Sequence, residues 1–154
     1  MDTSLHIERI GSESIDPALN LLAHFFLEEG FETPEAQIRV NLTAMLASTH
    51  AAIFLAKQAG KSLGIATVTT SMGLEYGLSA ELEDLFVLTH ARGRGIATAL
   101  IDVVCEWCHQ QGCSVILVTV TPQGAAAHNL MDFYLQRGFV NTRRVLLERS
   151  LLKE

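Results

Sequence analysis

Residues 81–100 read Glu81-Leu82-Glu83-Asp84-Leu85-Phe86-Val87-Leu88-Thr89-His90-Ala91-Arg92-Gly93-Arg94-Gly95-Ile96-Ala97-Thr98-Ala99-Leu100. The run from Leu82 to Leu88 is mostly apolar and carries β-favouring Phe86 and Val87, which predicts a strand. Thr89 to Arg92 break it, Gly93 and Gly95 follow, and a helical stripe then begins at Ile96 and repeats at Leu100, Val103 and Trp107. The order is therefore strand, short glycine loop, helix. A helix start leaves its first N–H groups unpaired and carries the positive end of the macrodipole, and glycines let an anion approach that backbone closely. With Arg92 and Arg94 adding charge, the loop has the makings of a phosphate cradle.

Two common cradles do not fit. A Walker loop ends in Gly-Lys-Ser/Thr. Gly60-Lys61-Ser62 has that ending, but Leu55 fills the position where the first glycine belongs, so the run reads as a hairpin turn. A dinucleotide fingerprint needs a third glycine where Thr98 stands, and an acidic residue closing the next strand, which is absent.

The wider pattern is more specific. Val87 followed by Arg92-x-x-Gly95-x-Ala97, with Thr98 and Leu100 behind it, resembles motif A of the GCN5-related N-acetyltransferases (GNAT). Phe133-Tyr134-x-x-x-Gly138-Phe139 resembles the motif B of the same family, and the likeness runs from about Leu5 to the C-terminus. The resemblance implies acetyl-CoA as the acetyl donor. Its diphosphate would be wrapped by Gly93, Arg94, Gly95, Ile96, Ala97 and Thr98, with Arg92 just ahead of them. Its pantetheine arm would pair with the strand Leu85, Phe86 and Val87. Resemblance further places Tyr134 as the general acid. Glu81, six residues before the valine, matches the base of histone-type members, and Asp84, three before it, matches a carboxylate of some aminoglycoside acetyltransferases. Ala127 departs from the pattern, because an asparagine often contacts the cofactor there. His128 and Asn129, next along the chain, are the candidates to replace it.

Chemistry gives these residue types their meaning. Acyl transfer to an amine needs a thioester held in place, a base to take a proton from the amine and an acid for the leaving thiolate. The resemblance implies that the organising strand splays from the next, so that its free backbone N–H groups, here those of Leu85 to Leu88, would polarise the acetyl carbonyl as an oxyanion hole does. Glu81, Glu83 and Asp84 crowd the start of the organising strand. Strict alternation puts Glu81 and Glu83 on one face and Asp84 on the other, unless a bulge alters the count. No cysteine lies on the loop or the strand, so transfer is expected to be direct.

The 154 residues suit a single domain spanning 1–154, and a composition 49% hydrophobic and 18% charged is that of a folded chain. A net charge of −6 argues against nucleic acid and favours a cationic partner, here a small-molecule amine. No apolar run is long enough to cross a bilayer, and the N-terminus lacks the features of a signal peptide, so no membrane association and a cytoplasmic location are expected. Cys105-x-x-Cys108-His109 has the spacing of a haem attachment but sits in the middle of the helix after the glycine loop; no metal site is expected.

Along the chain the pattern predicts a strand at Leu5–Ile10 and a helix opened by Asp16-Pro17 and closed by Gly30. A second helix opens at Thr33-Pro34, with an apolar face at Ile38, Leu42, Met45 and Leu46. Two strands follow, Ala51–Lys57 and Leu63–Thr70, then a loop from Ser71 to Ser79. Beyond the organising unit come a strand buried on both faces at Ser114–Thr121, one helix at Ala125–Gln136 and a closing strand at Phe139–Leu147. The fold class is α/β, one mixed sheet in the order β-α-α-β-β-β-α-β-α-β, which is the GNAT fold with splayed central strands that the resemblance implies. For the acceptor, the acid cluster with Glu75 points to an aminoglycoside or similar polyamine, and the run Arg94–Ile101 resembles the aminoglycoside 3-N-acetyltransferases. The rivals are acetylation of a protein or peptide terminus and a non-catalytic acyl-CoA sensor. By resemblance, a homodimer is expected.

Overall fold

The computed structural model describes residues 3–153. Residues up to Thr119 form one compact unit and those from Val120 onward a second. In the first unit the elements run β1 (Leu5–Arg9), α1 (Ile15–Glu29), α2 (Glu35–Ala47), β2 (Ala51–Gln58), β3 (Lys61–Gly73), β4 (Gly77–Val87), α3 (Ile96–Gln111) and β5 (Val115–Val118). One sheet holds the five strands in sequence order, antiparallel from β1 to β4 and parallel between β4 and β5.

Strand alternation distributes the helices. Ile53, Leu55, Ile65 and Phe86 point to the face covered by α1 and α2, where they join Leu19, Leu22, Ile38 and Leu42 in one buried cluster. Phe54, between two of those residues, faces the other way and meets Trp107 of α3 edge to face, ring centres 6.4 Å apart. The α3 stripe is wider than the sequence spacing suggested. Ile101, Val104 and Cys108 are buried beside Ile96, Leu100 and Trp107. Gly64 is what lets the start of α3 lie so close to the sheet. A Cβ there would stand 3.1 Å from the Phe86 carbonyl oxygen and 3.2 Å from side-chain carbons of Ile96 and Leu100.

Helix ends follow the sequence signals closely. Gly30 closes α1 in the left-handed region at φ 72°, and Pro34 stands immediately ahead of α2. Four expectations need correction. The segment Ser71–Ser79 is not a loop. The β3–β4 ladder continues to Gly73 opposite Gly77, an exposed ribbon whose backbone bonds do not need buried side chains. The strand at Ser114–Thr121 shrinks to β5, four residues that are at most half-buried, because its pairing with β4 ends at Leu82. In the second unit, the single helix at Ala125–Gln136 is two: α4 (Pro122–His128), capped by the Thr121 hydroxyl accepting from the Gly124 N–H, and α5 (Leu130–Leu135). Asn129 divides them in the left-handed conformation, which asparagine tolerates. The closing strand at Phe139–Leu147 is not formed. Residues 139–153 carry no regular structure, and their Val140, Val145, Leu146 and Leu147 side chains are exposed, so no buried face fixes a strand register there.

Candidate active site

The register of β3 and β4 slips by one residue. Thr67 pairs with Asp84, but the next residue, Val68, pairs with Leu82, so Glu83 is an extra residue in a β-bulge. The bulge overturns the simple alternation that set Asp84 apart from its neighbours. Thr69 Oγ1 donates to Glu83 Oε1 at 2.7 Å and Thr67 Oγ1 donates to Asp84 Oδ2 at 2.5 Å, so two carboxylates adjacent in sequence reach the same face. Glu81 lies opposite Thr69 in the ladder, and directly opposed residues share a face. All three acids therefore gather on the side covered by α1 and α2.

Glu83 and Asp84 border a cavity of about 310 Å³. Thr67, Thr69, Glu83 and Asp84 form its sheet wall. Leu22 and Phe26 of α1 and Ile38, Leu42 and Met45 of α2 form an apolar wall, and Asn41 is the polar residue that α2 contributes. No lysine or arginine pairs with the three acids among the described residues. Burial raises the pKa of Asp84 above the ordinary aspartate value; the Thr67 hydroxyl partly offsets this, and Glu83 adds a further upward push. Glu81 is also raised, first by burial and then by Glu83, with a hydrogen bond to Thr119 acting the other way.

Just past the bulge, β4 loses its neighbour on one side. β5 pairs only with Ser79–Leu82. Leu88 N–H donates to Leu63 O of β3 at 2.9 Å, so alternation turns the N–H groups of Leu85 and Val87 away from β3, to the side that β5 leaves open. This is the splay between central strands. The Val87 carbonyl oxygen on that side accepts from Arg92 Nε at 2.9 Å.

The glycine loop then leads into α3. Gly93 and Gly95 have φ of 78° and 80°, where glycine is favoured, and a Cβ on either would meet nothing within 4 Å. No side chain caps α3, and its first internal bond runs from Ala99 N–H to Gly95 O. The N–H groups of Ile96 and Ala97 precede that bond and stand at the helix mouth. Arg94 is exposed and donates to the His90 carbonyl at 3.2 Å. Arg92, which the sequence reads as adding charge to the loop, is held in an ion pair. Its Nη2 takes both oxygens of Glu28 on α1, at 2.8 and 2.9 Å, and its guanidinium lies 5.6 Å from the Phe86 ring centre. It ties the loop to α1.

The family model described as "Acetyltransferase (GNAT) family" matches residues 16–139. The chain belongs to the GNAT acetyltransferase family. GNAT enzymes transfer acetyl groups from acetyl-CoA, and this chain is similar to curated members with a narrower name. It is 31% identical over 119 residues to the aminoglycoside N(6′)-acetyltransferase type 1 of Serratia marcescens, covering 74% of this chain and 80% of that one. It is 28% identical over 110 residues to the Salmonella typhimurium enzyme of the same name, covering 69% and 74%. In fold it is similar to an aminoglycoside N-acetyltransferase AAC(6′)-Iy solved with CoA (TM-score 0.85, 22% identity, 99% of this chain and 98% of that one).

Within the second unit, Tyr134 of this GNAT chain is buried between the Phe133 and Phe139 rings, whose centres lie 5.1 and 5.2 Å away. Burial pushes its phenol up to about 12, against a lowering by Arg137, so the phenol keeps its proton at neutral pH. The three cysteines are free thiols, and burial raises each, Cys108 to about 12. Such thiols are poor nucleophiles. Thr67, Thr69 and Asn41 were not singled out from sequence. For the threonines a signal existed: two hydroxyls two residues apart mark one polar patch on an otherwise apolar strand.

Proposed function

We propose that this GNAT chain transfers acetyl directly from acetyl-CoA to a primary amine of a cationic small molecule, an aminoglycoside, and at its 6′-amine. One observation carries the reading: the bulge at Glu83 sets two carboxylates, with no lysine or arginine partner among the described residues, in a cavity immediately before the N–H groups of Leu85 and Val87 that β5 leaves open. The 6′ position is favoured over the 3-amine suggested by Arg94–Ile101 because the relatives carry 6′ names.

In this scheme the N–H groups at Gly93 to Thr98 hold the diphosphate, and the edge of β4 at Leu85, Phe86 and Val87 holds the pantetheine arm. Glu83 and Asp84 draw in the ammonium group. Asp84, or Glu81 behind it, takes a proton from the amine, and its raised pKa makes it a better base than an ordinary carboxylate. The nitrogen attacks the thioester carbonyl, and the N–H groups of Leu85 and Val87 receive the oxyanion. Collapse expels the coenzyme A thiolate, which Tyr134 protonates. Raised cysteine pKa values favour this direct route over an acyl-cysteine intermediate. Among the described residues no helix is long and apolar enough to cross a membrane, and three free thiols fit a cytoplasmic enzyme. The exposed Val145, Leu146, Leu147, Leu151 and Leu152 side chains favour a homodimer.

The test is thiol release from acetyl-CoA with kanamycin-type, polyamine and peptide acceptors. Fast release with the aminoglycoside supports the proposal. Release only with the peptide, or none beside tight coenzyme A binding, rejects it.

A further inference from the structure

Resting on that function, we propose that Asn41 recognises an oxygen of the acceptor beside its reacting amine, so that the cavity selects amino sugars over amines carried on plain hydrocarbon chains. Few groups lining the cavity can donate a hydrogen bond to a ligand. Glu83 and Asp84, when ionised, only accept. The Thr67 and Thr69 hydroxyls already spend their protons on those carboxylates. Leu22, Phe26, Ile38, Leu42 and Met45 have no hydrogen to donate. Asn41 is thus the lining side chain with donors to offer.

Its neighbour fixes which way they point. Gln37 Nε2, one turn earlier on α2, donates to Asn41 Oδ1 at 3.0 Å. With its oxygen occupied, Asn41 presents its NH₂ group to a ligand, and NH₂ seeks a hydroxyl or ether oxygen. The cavity therefore offers three complementary surfaces. Carboxylates take an ammonium group, an amide donates to an oxygen, and an aliphatic wall with Phe26 receives a C–H face. An aminated sugar ring carries all three features. A linear polyamine lacks the oxygen.

The experiment compares wild type with Asn41→Leu, using a kanamycin-type aminoglycoside and spermidine as acceptors. Asn41 is exposed on its helix, so the leucine variant is expected to melt with wild type. Loss of one neutral hydrogen bond should lower kcat/KM for the aminoglycoside roughly three- to tenfold through KM, with kcat and the KM for acetyl-CoA unchanged. Spermidine kinetics should not move. Gln37→Leu, which frees the amide to turn, should give a smaller loss of the same kind. Equal losses for both acceptors, or no loss for either, overturn the role of Asn41 while leaving the transfer function standing. A wild-type enzyme that releases no thiol with any amine removes the function itself and the selection with it.

Discussion

Replacing Asp84 by asparagine should slow acetyl transfer without destabilising the chain at neutral pH. Asparagine has nearly the same shape and still offers an oxygen to Thr67 Oγ1, which stands 2.5 Å from the carboxylate. What it loses is basicity. A positioned general base is worth about 10²–10⁴ in rate, or roughly 2.7–5.4 kcal/mol of barrier. The stability effect has the opposite sign. Burial raises the pKa of Asp84, so the folded chain holds this proton more tightly than the unfolded one. Such a group stabilises the fold below its unfolded pKa, and that contribution is lost as pH rises through the folded value. At pH 7 to 8, well above the unfolded pKa, the wild type holds less of this contribution than in acid, and Asp84→Asn, also freed of repulsion from Glu83, should melt at or above wild type. Below the ordinary aspartate range the difference should close. Initial rates of thiol release and melting curves at both pH values test the pair of effects. A kcat within twofold of wild type would refute the role of Asp84, and a lowered Tm at pH 7 would refute the account of its environment.

Other perturbations probe the rest of the site. Gly95→Ala forces φ 80° on a residue with a Cβ, costing about 1–2 kcal/mol. It should raise the KM for acetyl-CoA and lower Tm by a few degrees, with little change in kcat. Gly64→Ala meets the Phe86 carbonyl and the Ile96 side chain at 3.1 and 3.2 Å. Overpacking of this kind costs about 1–3 kcal/mol, and coenzyme binding measured by calorimetry should weaken as the mouth of α3 shifts. Tyr134→Phe keeps the buried ring between Phe133 and Phe139 but removes the proton. Turnover should fall at least about tenfold, with coenzyme affinity unchanged. For the wild type, the acidic limb of kcat/KM should lie above the ordinary carboxylate range, because Glu81 and Asp84 are both raised.

Much of the fold was legible because local chemistry and tertiary structure agree. Gly30, Pro34 and the Ile96 stripe say the same thing in sequence as in three dimensions. The glycine turn before α3 was legible for the same reason, since two positive-φ glycines ahead of a helix are a backbone requirement written in residue type. The sequence left room for a bulge but did not place it. Nothing in Glu83 itself says that it will be left out of the ladder; that follows from the register against the preceding strand, where Thr67 faces Asp84 across 17 residues of chain. Its consequence, the shared face of the acids, was hidden with it. The ion pair of Arg92 was not legible because its partner, Glu28, lies 64 residues earlier in the chain. At Asn129 a weak, single-residue preference for the left-handed region outweighed helical periodicity.

The central claim is that main-chain N–H groups at the start of α3 grip a diphosphate and so place the thioester beside the bulge. Calorimetric titration with coenzyme A and with pantetheine, which lacks the diphosphate, tests it most directly. Coenzyme A should give saturable heat, and pantetheine should bind more weakly by about 100-fold or more, the loss of several charge-assisted hydrogen bonds. Equal affinity for the two compounds, or no heat with coenzyme A, would contradict it.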